Sequence, residues 1–408
     1  ARDGTPLARG PGEGSPLGGA ALSAAGELGP LPADRALEAW RLGFPPGAPV
    51  GVSGLERVLD ERLAGRPGGA LLAGGRVLAR TEPRAARPVR TAIDPSLQRA
   101  SVAALGDRLG GVAALRPATG EVLALAGLAL DGLQPPGSTF KIVTLAAALE
   151  ARVTTPRARF PVQTAATLSG VELQNANGEA CGGVLGAAFA HSCNSVFAPL
   201  GARLGARRLV AAAERFGFNR PPGLPGAATS TIPRAAELGD ELAVGSTAIG
   251  QGRVLATPLQ MAWTAATIAA DGRRPRLTAE PRDRAAPGPA VLDPHTAAAV
   301  TRMMERVVGE GTGRQAALPG VRVAGKTGTA ELRTTQGTCP AAPDPAGCAT
   351  SADDTTDTDA WFAAFAPARR PEVAVGVLLV RAGTGGDTAA PAARLVLEAA
   401  LAPPRGPG

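Results

Sequence analysis

Apolar positions are irregular at the front of the chain and become strongly periodic after residue 91. In the front part Leu55, Val58, Leu59 and Leu63 share one face at helical spacing, and Asp34–Leu42 forms a second short patch, both set among Gly and Pro. Asp94-Pro95 then opens a helix reaching Leu109, with the carboxylate placed to cap the first turn. Gly111–Leu115 and Glu121–Leu128, on either side of a turn at residues 117–120, predict a β-hairpin. After a Pro/Gly loop over Asp131–Gly137, Ser138–Ala151 is an apolar, buried helix. Ala202–Arg215 and Pro258–Ala270 continue a helical body, and Asp293-Pro294-His295 opens a further surface helix. The last third changes period: Val321–Glu331, Ala360–Phe365 and Glu372–Val380 read as strands, residues 333–359 as a polar loop, and Ala389–Leu401 as a final helix. The order helix, hairpin, helical body, three strands, helix is an α+β pattern, with the early hairpin and late strands in one antiparallel sheet.

Composition narrows the chemistry. The chain of 408 residues is 45% hydrophobic and 19% charged, a globular balance with ample length for a core. Its charge of +7 would suit nucleic acid, but the Arg residues are scattered and aromatics make up only 3%, too few for a base-stacking platform. Tyr is absent and His occurs only at His191 and His295, so a Tyr nucleophile is excluded and a multi-His metal site is not expected. No cofactor is called for. No stretch approaches the roughly 18 apolar residues that span a bilayer.

Of 42 Lys and Arg residues, only Lys141 and Lys326 are lysine. Arg cannot be deprotonated at usable pH, so a chain this biased toward Arg keeps Lys where an amine is required. Lys141 closes Ser138-Thr139-Phe140-Lys141. At the start of a helix Ser138 and Lys141 share a face, and a desolvated Lys can take a Ser proton. By itself this tetrapeptide reads more readily as an ordinary capped helix with a snorkelling Lys. Lys326 opens Lys326-Thr327-Gly328-Thr329 on a strand. There Gly328 allows close approach of a substrate to the backbone, and a strand N–H can join that of Ser138 in an oxyanion hole. Between them lies Ser192-Cys193-Asn194, with a hydroxyl to relay a proton and an amide to bind substrate or orient Lys141. His191, beside Ser192, points elsewhere on a helix or turn and is not the expected base.

Ser-x-x-Lys, Ser-x-Asn and Lys-Thr-Gly in this order resemble the motifs of penicillin-binding transpeptidases. Pro135-Pro136-Gly137, Ala118-Thr119-Gly120-Glu121, Ala248-Ile249-Gly250-Gln251-Gly252, Thr257–Ala262 and Trp361-Phe362 are similar to the family's context. Arg2–Ala8, Val52–Glu56 and Leu63-Ala64-Gly65 resemble the linker of its monofunctional class B members, actinobacterial-like ones included. The resemblance implies a transpeptidase domain over residues 91–404, of the fold shared with serine β-lactamases: an antiparallel sheet flanked by helices plus an all-helical subdomain. Residues 1–90 are then a non-catalytic linker or pedestal.

The resemblance also implies roles. Ser138 is the acylated nucleophile, Lys141 its base, and Ser192 and Asn194 line the cleft. Lys326, Thr327, Gly328 and Thr329 bind substrate. The substrates are peptidoglycan stem peptides ending in D-Ala-D-Ala, with β-lactams as mimics, and a membrane glycan polymerase is the expected partner. The protein would act at the extracytoplasmic face of the plasma membrane, anchored upstream of residue 1. The family's enzymes with Tyr in the second motif are excluded by composition. A β-lactamase, a D,D-carboxypeptidase or a non-crosslinking β-lactam sensor shares the acylation chemistry and remains the alternative. The Cys that replaces the middle Asp of the second motif pairs in this reading as Cys181–Cys193, with Cys339–Cys348 as a second disulfide. Asp353, Asp354, Asp357 and Asp359 read as a solvated acidic loop rather than a metal site.

Overall fold

The structure, a computed structural model, describes residues 1–8, 15–45, 47–285, 287–331 and 358–403. Gly and Pro keep the first elements short: α1 (Gly19–Ala25), β1 (Leu28–Gly29), α2 (Ala36–Arg41), β2 (Val50–Gly51), α3 (Gly54–Val58), α4 (Asp60–Leu63) and the hairpin β3 (Gly69–Ala73) with β4 (Arg76–Thr81). The single helix expected over Leu55–Leu63 is therefore two, jointed at Leu59. Asp60 is drawn aside there, its carboxylate accepting the Gly51 N–H at 2.7 Å and pairing with Arg35. The β3–β4 hairpin, which no alternation announces, is exposed throughout. Leu7, Leu17, Ala21, Ala24, Leu55 and Leu59 nevertheless join the same buried cluster as the later helices.

Next come α5 (Pro95–Leu105), β5 (Gly110–Leu115), β6 (Val122–Gly127), a 3₁₀ turn at Gly137–Phe140, and α6 (Lys141–Glu150). Asp94 caps α5 as expected, accepting the Ser96 and Leu97 N–H groups, but the helix stops four residues early because Gly106 turns to φ 56°. Four short strands follow, β7 (Arg159–Gln163), β8 (Ala165–Leu168), β9 (Val171–Gln174) and β10 (Cys181–Val184), paired β8 with β9 and β7 with β10. The helical body comprises α7 (Leu185–Ala190), α8 (Asn194–Leu204), α9 (Ala206–Phe216), α10 (Glu241–Ala248), α11 (Pro258–Ala269) and α12 (Pro294–Gly309). Gly205, at φ 83°, separates α8 from α9 where one helical patch was expected. The chain ends in β11 (Ala324–Glu331), β12 (Thr358–Ala366), β13 (Val373–Leu379) and α13 (Ala390–Leu401).

Early hairpin and late strands do form one antiparallel sheet, in the order β11-β12-β13-β5-β6. Both faces of it are covered, so its strands are apolar on both sides of the two-residue alternation. In β12, Ala360, Phe362 and Ala364 belong to the cluster on the α13 side of the sheet, whereas Trp361, Ala363 and Phe365 face the main core. α11 is buried along nearly its whole length between sheet and helical body. It can approach because Gly376 lacks a side chain, whose first carbon would lie 2.1 Å from the Pro258 carbonyl. β11 is an edge strand, so among the described residues one side of its backbone is unpaired, and this edge borders the helical body.

Asp359, expected in a solvated loop, is instead buried on β12 opposite Ala330. Its Oδ1 accepts the Arg381 N–H at 3.0 Å, and burial raises its carboxyl above the usual range. Asp353, Asp354, Asp357, Cys339 and Cys348 lie outside the described residues.

Candidate active site

The helix expected from Ser138 begins as a 3₁₀ turn and becomes α-helical only at Lys141. In 3₁₀ geometry residues i and i+3 are eclipsed, which stacks Ser138 and Lys141 more directly than an α-turn would. Glycines wedge this turn in place. Gly137, at φ 49°, donates its N–H to the Gly250 carbonyl at 3.0 Å, and a side chain on it would strike the Thr329 carbonyl at 2.6 Å. The Ala248–Gly252 motif is thus a brace for the Ser138 turn. Gly328 has the same use. A side chain on it would meet the Pro136 carbonyl at 2.7 Å and Thr139 Cγ2 at 3.0 Å, so its bareness lets the Ser138 turn pack against β11.

Ser192 arrives from the opposite side, on the turn that ends α7. The Cys193 N–H reaches the Ala188 carbonyl at 2.9 Å and the Ser192 N–H reaches that of Phe189 at 3.1 Å, the paired bonds of a Schellman cap. Ser192 occupies the left-handed position of that cap, φ 61°, where Gly is usual. The Cys181–Cys193 disulfide is formed and anchors the next residue to β10. Asn194 then opens α8.

These segments converge on two amines. Lys141 Nζ lies 2.6 Å from the Ser192 carbonyl oxygen, 2.7 Å from Asn194 Oδ1 and 3.2 Å from Ser192 Oγ. Lys326 Nζ donates to the same Ser192 Oγ at 2.9 Å and to the Thr327 carbonyl at 3.0 Å. Both side chains are fully buried, and among the described residues neither has a carboxylate partner. Beneath them lie rings instead, Phe197 with its centroid 5.7 Å from Lys141 Nζ and Phe189 at 5.6 Å from Lys326 Nζ. Burial, then the neighbouring Lys326 charge, pushes the Lys141 amine well below its ordinary 10.5. Burial pushes Lys326 down to about 7. A partly buried serine hydroxyl between two amines that burial makes easier to deprotonate is a path for protons.

Residues 110–398 match the penicillin binding protein transpeptidase domain. The chain belongs to this family. It is 34% identical over 419 residues to the peptidoglycan D,D-transpeptidase PbpA of Mycolicibacterium smegmatis, covering 84% of this chain and 77% of that protein. Among solved structures it resembles penicillin-binding protein A of M. tuberculosis in its penicillin G acyl-enzyme complex, at 33% identity and TM-score 0.65, over 79% of this chain and 82% of the other. Pseudomonas aeruginosa PBP2 superposes with TM-score 0.74 at 27% identity, over 94% of this chain and 89% of the other.

All three motifs of this family member therefore meet: Ser138 is half-buried on its turn, and Ser192, Asn194, Lys141, Lys326 and Thr327 are linked by hydrogen bonds. Thr329 Oγ1 instead accepts the Gly385 N–H at 3.2 Å, which ties β11 to the segment before α13. His191 is exposed, and His295 sits exposed at the start of α12, capped by Asp293. Sequence reading missed Thr312, whose hydroxyl lies 2.6 Å from Thr327 Oγ1 and whose N–H binds the Ala190 carbonyl at 3.1 Å. The available signal was its flanking by Gly311 and Gly313, since a side chain on Gly311 would meet the Ala190 carbonyl at 2.2 Å. Phe189 and Phe197 were also missed, because apolar helices offer many rings and only packing selects these two.

Proposed function

We propose that this protein is a peptidoglycan D,D-transpeptidase that forms its acyl-enzyme on Ser138. The observation that carries the reading is the convergence of two buried lysines, without a carboxylate partner among the described residues, on Ser192 Oγ beside the Ser138 turn. Ser138 Oγ attacks the carbonyl of the penultimate D-Ala of a stem peptide, and its proton passes to neutral Lys141. The C–N bond to the terminal D-Ala breaks, and the departing amine takes a proton by way of Ser192. An amine of a second stem then attacks the ester, which forms the crosslink and returns the proton to Ser138. A β-lactam enters the same first step: its ring C–N bond opens and the acyl group stays on Ser138. Support comes from the relatives named as D,D-transpeptidases and from the acyl-enzyme complexes of the M. tuberculosis protein.

In this proposal Lys326 and Thr327 hold the substrate carboxylate, Thr329 and the β11 backbone the acyl group, and Asn194 the substrate amide. Residues 1–90 form a pedestal for the domain at 91–404. The enzyme works at the outer face of the plasma membrane, held by an N-terminal anchor, beside a membrane glycan polymerase. No helix of the described residues is itself long and apolar enough to cross a membrane.

The test is intact mass after benzylpenicillin. Wild type gains one adduct that persists for many minutes, while Ser138→Ala and Lys141→Arg gain none, Arg being unable to act as a base. An adduct that turns over rapidly would make the protein a β-lactamase, and an undiminished adduct on Ser138→Ala would overturn the assignment.

A further inference from the structure

The amide of Asn194 has two unlike ends, and the site works with only one of them facing Lys141. A neutral lysine has two N–H bonds and one lone pair. The Ser192 carbonyl at 2.6 Å and Asn194 Oδ1 at 2.7 Å take the two N–H bonds, which leaves the lone pair for a hydroxyl. Were the amide reversed, its NH₂ would donate to that lone pair and block the base. Nδ2 is held away by one bond, 2.8 Å to the Gln174 carbonyl at the end of β9.

That carbonyl belongs to the peptide unit leading into Asn175, and Asn175 is fixed by every polar atom it owns. Its N–H donates to the Thr164 carbonyl at 2.8 Å. Its Nδ2 donates to the Gln163 and Glu179 carbonyls, both at 2.8 Å. Its Oδ1 accepts the N–H of Ser195 at 2.8 Å, the residue directly after Asn194. Asn175 is only 5% exposed, and it is one of four Asn in the chain, Asn194 being another. It therefore grips Asn194 from both sides: through the carbonyl that receives the amide and through the first turn of α8.

We propose that Asn175 is a positioning residue for acylation, acting through Asn194 to keep an acceptor, rather than a donor, against Lys141. The proposal rests on the reading of Lys141 as base. An acceptor there also stabilises the ammonium formed when Lys141 takes the Ser138 proton.

The experiment is the second-order rate of benzylpenicillin acylation between pH 6 and pH 10 for wild type, Asn175→Ala, Asn194→Ala and the double variant, each checked for a cooperative melt. Both single variants are expected to slow acylation by about tenfold, and the double variant to be no slower than Asn194→Ala alone. The acid limb of the Asn175→Ala profile moves to lower pH, since a lost acceptor disfavours the ammonium. Asn175→Asp keeps the acceptor for Ser195 but loses both donors. It falls between wild type and Asn175→Ala, and it replaces Asn175→Ala in the cycle if that variant does not fold. Losses that multiply in the double variant, an unmoved acid limb, or a wild-type rate in Asn175→Ala would each overturn the inference. A wild type without a Ser138 adduct would instead overturn the function on which it rests.

Discussion

Two lysines buried over Phe rings, with no carboxylate partner among the described residues, cost the fold free energy, and at residue scale this is the clearest sign of function over stability. Lys326 sits at about 7 against an ordinary 10.5, so between those values the unfolded chain binds more protons than the folded one. Stability therefore rises with pH across that window and levels off below 7, where folded and unfolded chains are both protonated at this lysine. Lys326→Met removes the cost. We expect it to melt above wild type at pH 7, with the difference narrowing toward pH 10, and to lose acylation. A pH-independent difference in melting temperature would contradict this. Ser192 adds strain of about 1 kcal/mol by holding a left-handed conformation without being Gly. The lysines were legible from composition, because only an amine can serve where Arg is otherwise universal. The strain at Ser192 was not, because φ is set by the α7 cap and its surroundings.

At the scale of elements, the site depends on how closely the Ser138 turn, β11 and the Ala248–Gly252 loop approach. Gly250, at φ 78°, leaves no room for a side chain, whose first carbon would lie 2.0 Å from the Gly137 carbonyl. Gly250→Ala is expected to displace the Ser138 turn and slow β-lactam acylation by about 100-fold in protein that still folds. An unchanged rate would show that the loop does not set the turn. The Cys181–Cys193 bridge contributes about 3 kcal/mol by closing a loop of this size in the unfolded chain, and it does so one residue from Ser192. The long helices and late strands were readable because periods of 3.6 and 2 persist through them. β7–β10 were not, since each spans four or five residues with few buried positions.

For the whole molecule, Glu121 shows how the front of the chain is fastened to the catalytic part. It is 1% exposed. It accepts the Thr119 hydroxyl at 2.9 Å and the Arg282 N–H at 3.0 Å, and it pairs with Arg116 at 3.0 Å and Arg2 at 3.8 Å. The Ala118–Glu121 motif thus joins the β5–β6 turn, the segment after α11 and the chain's start. Glu121→Ala leaves these donors unsatisfied and is expected to cost about 2 kcal/mol in urea unfolding, with residues 1–8 cut sooner by protease. Unchanged stability and proteolysis would show that the front segment is held elsewhere.

What was readable in advance was chemical type and local period: two amines, three short motifs, and an α+β order of helices and strands. Each leaves a trace within a few residues of itself. Neighbourhood leaves none. That Asp359 is buried, that Thr312 touches Thr327, that Gly328 lets Pro136 come close, and that Asn175 binds the Ser195 N–H are contacts between segments far apart in the chain. Only packing of sheet against helical body brings them within hydrogen-bond reach, so only the folded structure could decide them.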